Sequence, residues 1–435
     1  MFKPHLKTND EGELVIGGIS VVELADRFGT PLYIMDENRI RENYQKFYQA
    51  YSKRWSDVKI WYAYKANSNT SICKILWDEG CGAEVSSICE LKTALKIGVP
   101  GKDIISNGNY KTRSELELGI ENDILINVDN LQELELVNEI AGNKDKKARI
   151  GFRVNPNVKA PTHPHIATGL RESKFGFDVE SGRALEAYKK AAKMNNIKVE
   201  SIHSHIGSQI LDPKPFGEQA EKMMNLVAKI RDKVGIELET VDMGGGLGVP
   251  YEPGEEDLTP DEMAEEVIST VKRVIEEKNL HEPTIVFEPG RSMVADAGII
   301  LSKVGYTKKR EKTPDWIAID AGMNALVRPA LYDAYHHIVA ANKMNEEPID
   351  VFNVAGPLCE SGDYLGKERE LPRVGQGDLI AIFDTGAYGL AMSSQHTAHP
   401  RPGMILVNSG NAEVIRKPED CEDLTRLDKV PEWLK

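Results

Sequence analysis

Six residues with ionisable side chains stand at the ends of short apolar runs, where a buried strand ordinarily carries none. Lys65 closes IWYAYKA (60–66), Glu84 lies in GAEVSS (82–87) and Arg153 in RIGFRVN (149–155). His205 lies in VESIHSHIGS (199–208), and Glu288 and Arg291 end TIVFEPGR (284–291). A charge in a strand buried on both faces is costly unless it is paired or used. One such residue is ordinarily a structural ion pair. Six at equivalent positions point to a site.

Lys65, within Tyr62-Ala63-Tyr64-Lys65-Ala66-Asn67, is the most telling. An ammonium in a dry, aromatic setting can lose its proton and serve as a Schiff-base nucleophile; the bland alternative is a lysine reaching out to solvent. Gly244-Gly245-Gly246-Leu247-Gly248 suits either a phosphate cradled by backbone N–H groups or a tight turn. Val249 breaks the G-x-G-x-x-G spacing and no G-x-x-x-x-G-K-[ST] occurs, so nicotinamide and P-loop readings lack support. In Glu288-Pro289-Gly290-Arg291 the carboxylate suits a ring nitrogen that must stay protonated, and the guanidinium a phosphate or carboxylate; the alternative is an ion pair within the turn.

The pairs His163/His165 and His203/His205 have no adjacent acidic ligand pattern, so no metal is expected. His205 can instead lie flat against an aromatic cofactor. Cys359 stands beside Glu360 in Gly356-Pro357-Leu358-Cys359-Glu360-Ser361-Gly362-Asp363, where a thiol with a chemical role is plausible. Cys73, Cys81, Cys89 and Cys421 read as inert.

The elements that must position these residues follow a rhythm. Eight short apolar segments between residues 60 and 291 alternate with amphipathic stretches such as LQELELVNEIAG and PFGEQAEKMMNLVAKIRDKVG. Strands alternating with helices imply parallel βαβ units, and eight units are the count of a (β/α)8 TIM barrel; an open doubly wound sheet is the alternative. Residues 36–291 read as this barrel and 292–435 as a mostly antiparallel β-sandwich domain, since β-rich runs there are bounded by Gly, Pro and Asn. Residues 1–35 form an N-terminal segment that packs with the β domain; ELVIGGISVVEL reads as strand, and a helix is expected near Glu37–Tyr51.

The composition excludes several classes. The chain has 435 residues, 41% hydrophobic and 28% charged, enough for a sizeable core. Its formal charge of −14 argues against nucleic acid as a partner. No apolar run approaches the ~18 residues of a membrane span. MFKPHLKTND lacks the apolar core of a signal peptide, and five cysteines without a CxxC pair make no disulfide framework. The expectation is a cytoplasmic globular protein acting on a small molecule.

With these residues assembled, the chain resembles the fold-type III, pyridoxal-phosphate-dependent amino acid decarboxylases. The motifs YAYKAN, GFRVNP, THPHIATGLRESKFG, HSHIGSQ, DMGGGLG, EPGR, RPALYDAYH, GPLCESGD and DTGAYG carry the resemblance by their order and spacing over nearly the whole chain. It implies pyridoxal 5′-phosphate as cofactor, joined covalently to Lys65. Gly244, Gly245, Gly246, Arg291, Ser208 and Tyr388 then face the phosphate, with Pro289 and Gly290 in the same turn. Glu288 meets the ring nitrogen, His205 stacks on the ring, Arg153 lies behind it and Glu84 beside Lys65. Cys359 is the proton donor, delivered by the neighbouring subunit of a head-to-tail homodimer whose active site is shared across the interface. Arg291, Arg328, Tyr332, Glu360 and Tyr388 contact the substrate.

The resemblance further implies decarboxylation of meso-2,6-diaminopimelate to L-lysine and CO2, because Glu360 suits an ammonium and Arg328 a carboxylate at the substrate's far end. Arginine, ornithine or carboxynorspermidine decarboxylation, alanine racemisation, a non-catalytic cofactor-binding homologue and a metal-dependent TIM-barrel hydrolase are the rival readings. Two positions depart from the family pattern: Glu84 replaces an aspartate, and Gln395-His396-Thr397 replaces Asn-Tyr-Asn.

Overall fold

The computed structural model describes residues 3–159 and 173–435. His163, His165 and most of THPHIATGLRESKFG lie outside the described residues. The chain divides into two compact units: a barrel unit of Arg41–Val249 and Glu256–Met293, and a sheet unit of the residues up to Ile40, Pro250–Glu255 and those from Val294 onward.

The barrel has eight parallel strands: Val58–Ala63, Gly82–Val85, Ile104–Ser106, Leu125–Val128, Ala148–Asn155, Ile197–His203, Thr240–Asp242 and Thr284–Phe287. Each pairs with the next, and the eighth pairs with the first through Ile285–Val58 and Phe287–Ile60, which closes the ring. Closure leaves no sheet edge and rules out the open doubly wound alternative. Helices between strands begin and end where local chemistry satisfies their free backbone groups. Thr259 and Glu262 form a capping box ahead of Pro260–Lys278, and Gly235 in the left-handed region ends Lys214–Val234. No helix among the described residues is long and apolar enough to cross a membrane.

The strands are shorter than the apolar runs suggest, which corrects the placement of four residues. Glu84 and Arg153 lie within strands, but Lys65 sits in the 3-10 turn Tyr64–Ala66 and His205 lies two residues past His203. Glu288 follows Phe287 directly, and Arg291 begins the short helix Arg291–Val294. The reason is in the ladder. Its last bonds run from Ala63 N–H to Pro289 O (3.1 Å), Ser204 N–H to Asp242 O (3.0 Å) and Glu288 N–H to Gly244 O (2.8 Å). Pro289 has no N–H to continue it, so the chain turns out onto the C-terminal rim.

In the sheet unit nine strands form one mixed sheet, six of whose eight pairings are antiparallel. The long strand Gly298–Lys308 organises it. Its first half pairs with Leu32–Asp36 and Leu379–Ile382, and beyond an irregularity at Val304/Tyr306 its second half pairs with Asp315–Ile319. Leu32–Asp36 also runs parallel to Gly403–Asn408, so the N-terminal segment is built into this sheet. The core gathers Leu24, Ile34, Leu301, Phe383 and Ile405. One expectation fails here: Val21-Val22-Glu23-Leu24 is helical, within Val21–Phe28, rather than strand. Ser20 accepts the Val22 N–H (3.1 Å) as an N-cap, and Val21, Leu24 and Ala25 share a buried face, which outweighs the β-branched pair.

Candidate active site

The 3-10 turn Tyr64–Ala66 buries Tyr64 and Ala66 and leaves the Lys65 side chain 41% exposed. Its Nζ donates to Glu84 Oε2 at 2.8 Å, and Glu84 is fully buried. Glu84 Oε1 accepts from Ser86 Oγ (2.9 Å) and Asn107 Nδ2 (3.1 Å), so this carboxylate is satisfied on both oxygens. The longer side chain at position 84 therefore reaches Lys65. Nearby Glu90 accepts the Ser86 N–H (2.7 Å); burial, then the charge on Glu84, push its carboxyl up to about 7.

Deeper in the barrel, Glu288 accepts from Asn107 Nδ2 (2.7 Å) on Oε1 and from His203 Nε2 (3.1 Å) on Oε2. Asn107 is held in turn by Asn127 Nδ2 (2.8 Å). Burial alone would raise the Glu288 carboxyl. His203, by charge and hydrogen bond, and then Lys65 outweigh it and hold Glu288 well below the usual carboxylate range. Arg153 is buried with its guanidinium 4.5 Å from the Phe175 ring, and burial works against its charge while Asp129, Glu288 and Glu84 support it.

The glycine turn follows the seventh strand. A side chain at Gly245 would bring its Cβ to 2.2 Å from Glu288 O, and one at Gly244 (φ +66°) to 2.5 Å from Ser204 O. Only glycine lets the loop approach the neighbouring strand ends this closely. Gly245 N–H donates to His205 Nδ1 (3.3 Å), which leaves Nε2 to carry the ring proton. Burial, then the charges of Lys65 and Arg153, hold His205 well below its ordinary value, so it is a neutral ring at the rim. Arg291 donates to Ser208 Oγ from Nε (3.3 Å) and Nη2 (3.0 Å), forming a guanidinium–hydroxyl pair beside the turn.

Among the described residues the barrel unit thus brings together an accessible primary amine, a buried carboxylate with its donors already in place, and a guanidinium and hydroxyl suited to an anion. These meet the three demands of pyridoxal phosphate: an amine for its aldehyde, an acid for its ring nitrogen and a cation for its phosphate. Reasoning from sequence missed Asn107, Asp242 and Glu90 altogether. Asp242 was detectable, because it is a carboxylate in an apolar barrel strand, as Glu84 is. His203, read only as half of a histidine pair, is a direct partner of Glu288.

Residues 37–295 match the family described as "Pyridoxal-dependent decarboxylase, pyridoxal binding domain". The chain belongs to that family. A diaminopimelate decarboxylase of Methanocaldococcus jannaschii is 44% identical over 98% of this chain and 97% of its own, and one of Aquifex aeolicus 41% over 97% and 96%. Among solved structures, a diaminopimelate decarboxylase of M. jannaschii in co-complex with L-lysine superimposes with TM-score 0.94 at 43% identity, covering all of both chains.

In this pyridoxal-dependent decarboxylase the remaining predicted residues lie in the sheet unit. Arg328 is buried at the start of the helix Arg328–Tyr332. It donates from Nη1 to His336 Nε2 (2.8 Å), and its guanidinium lies 4.7 Å from the Tyr251 ring. His336 donates from Nδ1 to Phe383 O (2.8 Å), which frees Nε2 to accept. Tyr332 and Tyr388 are half-buried, and Tyr388 occupies the left-handed region (φ +57°). Cys359 and Glu360 are exposed on a turn pinned by Asp363, whose carboxylate accepts the N–H groups of Leu358 (2.7 Å) and Met323 (2.6 Å). His396 Nε2 lies 3.9 Å from Glu360 Oε2, so the segment that departs from the family pattern touches a predicted substrate residue.

Proposed function

We propose that this chain is a carboxy-lyase that removes CO2 from meso-2,6-diaminopimelate to give L-lysine, the last step of lysine biosynthesis. The observation that carries the reading is the Lys65 ammonium held 2.8 Å from the wholly buried Glu84, which Asn107 links to Glu288. The relatives named above, with identity near 40% over nearly full length, support the substrate. Pyridoxal phosphate, when bound, supplies the electron sink for the pair left behind as CO2 departs.

The chain's own residues have separable tasks in this reading. Lys65 would hold the cofactor through its amine, which Glu84 keeps oriented. Glu288 holds a proton on the ring nitrogen. Neutral His205 would pack against the cofactor's ring without adding charge, and Arg153 would add a buried cation to the same site. Arg291, Ser208 and the Gly244–Gly246 turn, with Pro289, Gly290 and Tyr388, hold the phosphate. Arg291, Arg328, Tyr332, Tyr388 and Glu360 receive the substrate, with cationic groups for its carboxylates and Glu360 for its distal ammonium. Cys359 returns a proton to the α-carbon.

We assign Cys359 and Glu360 to the site of a second copy in a homodimer; their exposure on a braced turn suits delivery to a partner subunit. The location we propose is the cytoplasm, where protein synthesis consumes lysine. The test is a substrate panel on purified protein, following CO2 and lysine. Release from meso-diaminopimelate well above that from ornithine or arginine supports the assignment, and the reverse order sinks it. Sedimentation of the holoenzyme as a monomer would remove the shared site.

A further inference from the structure

Asp242, at the end of the seventh barrel strand, is fully buried, as is His203, and Glu288 is 4% exposed. Ligand atoms of these three residues lie within 4.8 Å of one another. The donors are unevenly distributed. Glu288 receives an N–H on each oxygen, from Asn107 and His203. Asp242 receives one, the Gly244 N–H on Oδ1 at 2.8 Å, while Oδ2 is buried and among the described residues meets no N–H or hydroxyl. The Glu288 carboxyl lies beside it, within the same 4.8 Å cluster. Two carboxylates this close cannot both stay ionised in a buried site, and the charge settles on the one with more donors.

We propose that Asp242 is a positioning residue that stays protonated and donates its proton to Glu288, fixing Glu288, with His203, as the ionised partner of the cofactor's ring nitrogen. Asp242 then does two things at once. Its proton orients the acid under the ring, and its Oδ1 fixes the first amide of the glycine turn, so the nitrogen end and the phosphate end of the site share one strut. Burial first, then the charge on Glu288, push the Asp242 carboxyl well above its ordinary value, in agreement with the donor count. The charged groups facing the pair are Glu84, Arg153 and Lys65.

The inference rests on the assignment of Glu288 to the ring nitrogen, and the test separates the two. The infrared difference spectrum between the holoenzyme and its Asp242→Asn variant at neutral pH is expected to show one buried protonated-carboxyl band, separate from that of Glu90, which both proteins share. In enzyme reconstituted with 15N-labelled pyridoxal phosphate, Asp242→Asn keeps a neutral donor and leaves the ring-nitrogen resonance in place. Asp242→Val removes the donor, makes Glu288 more basic and moves the resonance toward the unprotonated position. Glu288→Gln is the benchmark. If it leaves the resonance unmoved, the ring-nitrogen assignment fails, whatever the infrared band does. If Glu288→Gln moves it but the difference spectrum shows no such band, the role of Asp242 is overturned. The band and the Asn variant decide even if the Val variant does not fold. A stoichiometric metal found by elemental analysis in the holoenzyme would also overturn the inference, since these three side chains would then be ligands.

Discussion

The Lys65 ammonium and the Glu84 carboxylate face each other at 2.8 Å across the first two barrel strands, the lysine reaching solvent and the glutamate wholly buried. The pair is asymmetric by construction. Glu84 is fixed by Ser86 and Asn107 as well, so it stays in place when Lys65 moves. Lys65→Ala is therefore expected to fold with a loss of stability of no more than about 1–2 kcal/mol, because Glu84 is buried but keeps its Ser86 and Asn107 donors. It should lose the visible absorbance of covalently bound cofactor and its trapping by borohydride. Retention of either signal would remove Lys65 from its role.

The glycine turn makes a different demand. Gly245→Ala places a methyl group 2.2 Å from Glu288 O, a backbone atom that cannot swing aside. The turn and the eighth strand end must separate, which disturbs the anion site and Glu288 together. The expected cost is about 2 kcal/mol of stability with a tenfold or greater loss of cofactor affinity, read by thermal melting and by equilibrium titration. Wild-type affinity in the variant would show that the turn does not contact the phosphate.

Legibility from sequence followed the range over which each signal acts. The barrel was readable because eight apolar runs and their amphipathic spacers each report local periodicity, and Lys65, Glu84, Arg153 and Glu288 stood out as charges within them. Strand ends were not readable, since the ladder stops where Pro289 lacks an N–H and where partner strands happen to end. The helix Val21–Phe28 was misread because Val21 and Val22 favour a strand locally, while the Ser20 cap and the buried face of Leu24 and Ala25 act through the folded structure. Asn107 and His203 were hidden for another reason. Their task is to donate to Glu288, an acid on another strand, and no spacing in the chain encodes that meeting.

Glu90 gives the fold a pH dependence of known sign. Its carboxyl rises from 4.5 to about 7 through burial and the neighbouring charge of Glu84. The folded chain thus keeps this proton after the unfolded chain has lost it, so stability from this group is present below about 4.5 and lost as pH rises through 7. Glu90→Gln retains an acceptor for the Ser86 N–H and has no proton to lose. The stability of the variant relative to wild type should rise by about 1–2 kcal/mol between pH 4.5 and 8, after allowance for solvent screening at this half-buried site. Urea unfolding across that range measures it, and a flat difference would show that Glu90 titrates normally.

Arg328 tests the choice of substrate. It is 6% exposed, held by His336 at 2.8 Å and by the face of Tyr251 at 4.7 Å, so its guanidinium is oriented before any ligand arrives. A second substrate carboxylate would gain a charge-assisted contact there, whereas ornithine, which lacks that group, would gain none. Arg328→Gln is expected to reduce kcat/KM for meso-diaminopimelate by about 2–4 kcal/mol, roughly 30- to 1000-fold, chiefly through KM. Turnover of ornithine, however slow, should change far less, so the ratio between the two substrates moves toward ornithine. Melting measurements on the same preparation separate this from loss of packing against Tyr251. An equal decline on both substrates would assign Arg328 to structure, and an unchanged KM for diaminopimelate would remove it from the substrate's far end.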